Sequence, residues 1–163
     1  VAEWLRNGLQ NRVHRFNSGR GLHHIKYLND EAVSPRPEPE AMRIRRLDHV
    51  LLAMPPGKES DARKFYRDIF GIPEAEKPPE LAARGGCWFE DGELKVHLGV
   101  EKNFAPARKA HPAFIVDDLV GLTAVLTNAG YAIAHDKPLE GYDRIFVDDP
   151  FGNRIELMEI KPS

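Results

Sequence analysis

Residues 44–160 run through one order of elements twice, and this repetition restricts the possible folds more than any other feature of the chain. Module one, residues 44–100, reads as a β-α-β-β-β unit, and module two, residues 110–160, repeats it. The first strand covers residues 44–54 and ends at Pro55-Pro56-Gly57, because proline cannot continue a ladder. Residues 60–70 carry Ala62, Phe65, Tyr66 and Ile69 at helical spacing, and Gly71 supplies the stop. Residues 72–85 hold a short strand and a proline-rich loop, and residues 86–90 form a strand around Trp88. Asp91-Gly92 is a hairpin turn leading into a last strand at residues 94–100. After a linker at 101–109 the order returns. A strand at 110–116 precedes a helix that Asp117 or Asp118 caps and Gly130 stops, with Leu119, Leu122, Val125 and Leu126 on its buried side. A short strand at 131–134, a strand at 144–147, a turn at 148–153 and a strand at 154–160 complete the copy.

The copies also agree in where polar side chains fall. His49 lies in the first strand of module one and His111 in that of module two, while the last strands give His97 and Glu156. Such halves are expected to curve about a shared axis as an open barrel or cleft, with matched polar residues pointing inward from opposite sides. The fold class is therefore α+β, with tandem modules forming a curved mixed sheet.

Composition narrows the partners. With 23 basic and 25 acidic residues the net charge is -2, which draws the chain neither to nucleic acid nor to anionic lipid. Cys87 is the single cysteine, so no intramolecular disulfide forms and a reducing compartment suits the chain. No apolar run approaches a membrane span and no secretory pattern opens the sequence, so a cytoplasmic location is expected. Residues 1–41 differ from the rest. Val1, Leu5, Leu9 and Val13 form a stripe beside Arg6, Arg12 and Arg15, and prolines alternate through residues 34–40. This arm reads as a flexible extension upstream of a start at Met42, as a helix packed on the domain or a partner, or as a helix lying on a membrane. Residues 42–163 form the folded domain.

Four segments carry a family resemblance: Leu47-Asp48-His49-Val50, residues 95–100, residues 110–118, and Asp149-Pro150-Phe151-Gly152-Asn153-Arg154-Ile155-Glu156-Leu157. Through them the chain resembles the vicinal oxygen chelate superfamily, which includes glyoxalase I, extradiol dioxygenases, fosfomycin resistance enzymes and bleomycin-binding proteins. The resemblance covers about residues 44–160. It implies a metal held by His49, His97, His111 and Glu156, a small-molecule substrate and a homodimer. Histidine at position 97, where relatives often carry glutamate, departs from the usual glyoxalase I pattern.

Three imidazoles and a carboxylate suit Zn, Fe, Ni, Co or Mn, and an open coordination position lets a substrate chelate through two oxygens. The expected chemistry is that of a lyase, isomerase or dioxygenase, with Glu156 as general base. The competing reading is a metal-free binding protein of the bleomycin-resistance kind, in which an aromatic cleft traps a drug. Either Trp88 or Phe89 faces the pocket, since adjacent strand residues point to opposite faces. Lys95 shares parity with His97. Arg144 and Arg154 form strand-edge salt bridges or grip a carboxylate or phosphate. Phe65, Tyr66 and Cys87 read as core, and His135, His14, His23 and His24 lie outside the set.

Overall fold

The computed structural model describes residues 44–162. The expected arm helix, its proline spacer, His14, His23 and His24 fall in residues 1–43 and lie outside the described residues.

Module one forms a four-stranded sheet from β1 (Val50–Met54), β2 (Glu74–Ala75), β3 (Trp88–Asp91) and β4 (Leu94–Val100), in the order β1-β4-β3-β2. Module two forms a second from β5 (Ala113–Ile115), β6 (Ile133–Ala134), β7 (Tyr142–Asp148) and β8 (Arg154–Ile160), in the order β5-β8-β7-β6. In each sheet the first strand runs parallel to the last and the remaining pairs are antiparallel. The registers make the repeat concrete. Leu51 and Trp88 flank His97, as Ala113 and Phe146 flank Glu156. Lys95 faces Glu90, as Arg154 faces Asp148.

Both first strands start later than the sequence suggests. Pro112 has no N–H to donate to a ladder, so β5 begins at Ala113, although the Pro112 carbonyl still accepts from Glu156 N at 3.0 Å. In module one, residues 44–49 have no regular structure, and Ile44 and Leu47 stay exposed. His49 and His111 therefore stand just before their strands rather than within them.

The helix of module one is α-helical only at α1 (Glu59–Ala62) and continues in π-helical turns over Arg63–Ile69. Its wide turns bury Phe65 and Tyr66 side by side. A short α2 (Pro79–Ala82), which no periodicity announces, precedes Gly85-Gly86. In α3 (Leu119–Asn128) the cap is Asp118, whose carboxylate accepts from Gly121 N at 2.7 Å.

The core lies between the helices and the outer faces of the sheets. Phe89, Val96, Leu98, Ile155 and Leu157 meet Phe65, Tyr66 and Leu126 there. One polar knot ties the modules together. Asp149 accepts from Tyr66 Oη at 2.7 Å and from Asn153 Nδ2 at 2.9 Å, while Asn153 Nδ2 also reaches the Ala53 carbonyl at 2.8 Å. Burial pushes the Asp149 carboxyl above its ordinary range, against the pull of these donors.

Candidate metal and ligand site

His111 is fixed by its position one residue before Pro112. Its Nδ1 lies 2.9 Å from the Lys109 carbonyl, which can only accept, so Nδ1 carries the proton. Its Nε2 then points at Glu156 Oε2, 3.2 Å away. A bare imidazole nitrogen and a carboxylate oxygen are both acceptors, so a cation must stand between them: a second imidazole proton or a metal ion. Two ligands each about 2.0–2.2 Å from one ion lie about 2.9–3.4 Å apart, and this pair has that spacing. The donor set fits a divalent metal.

Glu156 is nearly buried, with its side chain 9% exposed. Its other oxygen, Oε1, accepts from Arg144 Nη1 at 2.7 Å. Arg144 is held in turn by the Lys137 carbonyl at 2.8 Å and lies 3.7 Å from Asp136. Its Nε is buried without a partner. Phe146 lies beside this group, edge-on to His111 at 5.4 Å and under the Arg154 guanidinium at 4.0 Å.

Module one presents the matching half. His49 Nδ1 lies 3.0 Å from Asp48 Oδ1, which leaves Nε2 without a partner among the described residues on a ring 42% exposed. An imidazole anchored through one nitrogen and open at the other is prepared for ligation. The His49 hydrogen bond, and after it the charge of Lys95, hold the Asp48 carboxyl below its ordinary range. His97 is arranged the other way round. Its Nε2 lies 2.8 Å from Glu90 Oε1, and its ring is stacked between Trp88 at 4.2 Å and His49 at 4.5 Å. His97 would have to ligate through Nδ1 or release Glu90.

The four expected ligands thus fall into two pairs, His49 with His97 beside the first sheet and His111 with Glu156 beside the second. Among the described residues no group of three or more His, Cys, Asp or Glu is arranged to hold a metal ion. The outermost strands on this side, β1 and β5, end their sheets and leave Leu51 and Ile115 exposed. A groove of about 500 Å³ joins them, lined by His49, Lys95, Leu94, Pro112 and Phe114 among others.

Trp88 takes the site side of β3 and Phe89 the core side. Cys87 is buried, which pushes its thiol up to about 11 and removes it as a nucleophile. His135 is exposed on a loop. The partners that orient the set are Asp48, Glu90 and Arg144, of which the sequence offers only Arg144, as a strand-edge salt bridge. Asp48 is adjacent to its histidine. Glu90 follows from the Asp91-Gly92 hairpin, which makes it a diagonal neighbour of His97. Arg144 follows in the same way from the β7–β8 register, two residue pairs beyond Phe146 and Glu156 and so on the same face.

Comparison with known proteins places the fold. Residues 46–157 match the family model for the Glyoxalase/Bleomycin resistance protein/Dioxygenase superfamily. A crystal structure from Bacillus anthracis, described as of the glyoxalase family, is 46% identical, with a TM-score of 0.70 over 74% of this chain and 98% of its own. The fosfomycin resistance protein FosX from Listeria monocytogenes shares the fold at 17% identity and a TM-score of 0.59, covering 73% of this chain and 96% of its own. TnmS3, an antibiotic binding protein from Streptomyces sp. CB03234, shares it at 20% identity and a TM-score of 0.57, covering 74% and 99%. Among curated proteins no sequence matches.

Proposed function

For a chain that belongs to the Glyoxalase/Bleomycin resistance protein/Dioxygenase superfamily, we propose the function of a divalent-metal-dependent enzyme that chelates a small oxygenated substrate for lyase, isomerase or dioxygenase chemistry. The observation that carries this reading is the His111–Glu156 pair, 3.2 Å apart with His111 Nδ1 already committed to the Lys109 carbonyl, a spacing that a metal ion between Nε2 and Oε2 fits. His49, with Nδ1 on Asp48 and Nε2 open, is the third ligand, and His97 is the fourth position. Two imidazoles and a carboxylate suit Zn, Fe, Ni, Co or Mn. When bound, the metal supplies Lewis-acid polarisation of two adjacent substrate oxygens.

This chain's own residues do the remaining work. Arg144 holds one oxygen of Glu156 and leaves the other toward His111. Glu156 also serves as general base, taking a proton on a carboxylate oxygen. Trp88 and Phe146 give the substrate apolar walls and keep water from the reacting end. The two half-sites meet across a homodimer, because β1 and β5 present bare edges and exposed apolar side chains beside His49 and Pro112. No helix among the described residues is long and apolar enough to cross a membrane. The lone buried Cys87 fits a cytoplasmic setting.

The second reading is a metal-free binder of a small molecule or drug. It is favoured by the absence, among the described residues, of three clustered ligands, and by the stack of Trp88, His97 and His49. Zn and Fe titrations of the chelator-treated protein decide between the two. The enzyme reading expects one ion per His111–Glu156 pair, lost in His111→Ala and in His49→Ala. Mixing those two variants should restore binding in hybrid dimers, one intact site in each. A folded protein that takes up no metal supports the binder instead.

A further inference from the structure

The charged side chains on the inner face of the second sheet do not all serve Glu156. Arg154 lies on the same face two residues along β8, opposite Asp148 in the register with β7. Its guanidinium carbon rests 4.0 Å from the centre of the Phe146 ring, and among the described residues it makes no hydrogen bond or ion pair. A guanidinium placed over an aromatic ring without a hydrogen-bond partner keeps N–H donors available to an oxyanion, which it can take through two bonds. Arg108, in the exposed linker ahead of β5, is likewise without a partner among the described residues.

These two arginines line one cavity of about 330 Å³, whose apolar wall is Ile133, Phe146 and Val147. Asp148 lines it as well, so two cations face one carboxylate there. Asp136, outside the lining, lies 3.7 Å from Arg144 and also feels the charge of Arg154, without a direct ion pair to it. The cavity and the His111–Glu156 pair share one aromatic ring as neighbour, since Phe146 lines the cavity and lies 5.4 Å edge-on to His111 and 4.0 Å from the Arg154 guanidinium carbon.

We propose that this cavity seats the anionic end, carboxylate or phosphate-like, of a small acid whose other end reaches His111 and Glu156. The second half of that statement rests on the metal-site reading; the first half stands on the cavity alone. Such a substrate carries an oxyanion separated from its chelating oxygens by a short apolar spacer that lies along Phe146.

Inorganic phosphate and acetate, titrated separately into the chelator-treated full chain and followed by calorimetry, test the cavity. Saturable binding of either ion is expected. Arg154→Gln should weaken it by at least about tenfold, the worth of a charge-assisted hydrogen bond. Arg108→Gln, in an exposed linker where folding is not at stake, should weaken it severalfold, and Arg154→Lys should restore part of the loss. Tighter phosphate identifies a phosphate-like end, and tighter acetate a carboxylate. Failure of both ions to saturate the wild type overturns the proposal, as does undiminished binding in Arg108→Gln together with any folded Arg154→Gln. A parallel zinc titration separates the two readings: anion binding without metal uptake refutes the metal site and leaves the cavity standing.

Discussion

Removing Arg144 tests whether Glu156 is held in place rather than merely located near His111. The guanidinium meets Glu156 Oε1 at 2.7 Å, with the two side chains only 18% and 9% exposed. In Arg144→Met the carboxylate keeps its burial and loses its strongest donor. Breaking one side of a buried ion pair costs about 3–5 kcal/mol, of which the residual exposure of Arg144 argues for the lower end. Glu156→Gln leaves Arg144 short of its counter-charge and should cost a similar amount. The double variant should cost much less than the sum, with a coupling of about 2–3 kcal/mol. Urea melts of chelator-treated protein, followed by tryptophan fluorescence, give all four corners of the cycle. In a zinc titration Arg144→Met should bind about 10–100-fold more weakly, as expected when the partner that orients a ligand is removed. Additive stability changes, together with unaltered zinc affinity, would refute the assigned role.

Three further outcomes follow from the packing. Gly86 sits at a φ of +81°, and a Cβ there would stand 2.1 Å from the Leu98 carbonyl oxygen, so Gly86→Ala should lose at least about 3 kcal/mol in the same melts. Cys87, at about 11 against an ordinary 9.0, holds about a hundredfold less thiolate at pH 8 than a free thiol, so a disulfide reagent should label it only upon unfolding. Tyr66→Phe removes the donor to Asp149 Oδ2 and should cost about 1–3 kcal/mol at neutral pH. The sign with pH is set by Asp149, whose raised carboxyl favours the protonated fold. Its contribution is intact below the ordinary value of 3.8 and is lost as pH rises through the folded value. Since Tyr66 steadies the ionised form, the Tyr66→Phe penalty should shrink on acidification; a penalty that grows toward low pH would count against this account.

Much of this was readable from side-chain parity. Alternation in residues 94–100 puts Leu94, Val96 and Leu98 on one face and Lys95, His97 and Gly99 on the other; the sheet keeps that division and buries Val96 and Leu98, while Leu94 at the strand's start stays partly exposed. The hairpin at Asp91-Gly92 and the breaker-rich turn after Asp148 set registers that align the modules residue by residue. What parity could not supply was tertiary. Nothing in the spacing of Phe65 and Tyr66 distinguishes an α-helix from the π-helical turns that bury both. The late start of β5 follows from Pro112; nothing comparable in residues 44–49 accounts for the late start of β1. Four polar residues at matched positions were expected around one axis. The chain holds them as two pairs, because each pair is fixed by its own sheet, and no pattern within one sequence says whether a second copy joins them. His97 is the instructive residue. Its position matches Glu156, but the pairing of its Nε2 with Glu90 separates it from the two histidines whose Nε2 points away from an Nδ1 anchor.

Anomalous diffraction at the zinc edge, from crystals of the zinc-loaded protein, would locate the ion. The expected peak lies within coordinating distance of both His111 Nε2 and Glu156 Oε2, with His49 Nε2 of a second copy completing the set. A fully folded crystal with no peak at that pair, or with zinc bound only elsewhere, would contradict the assignment.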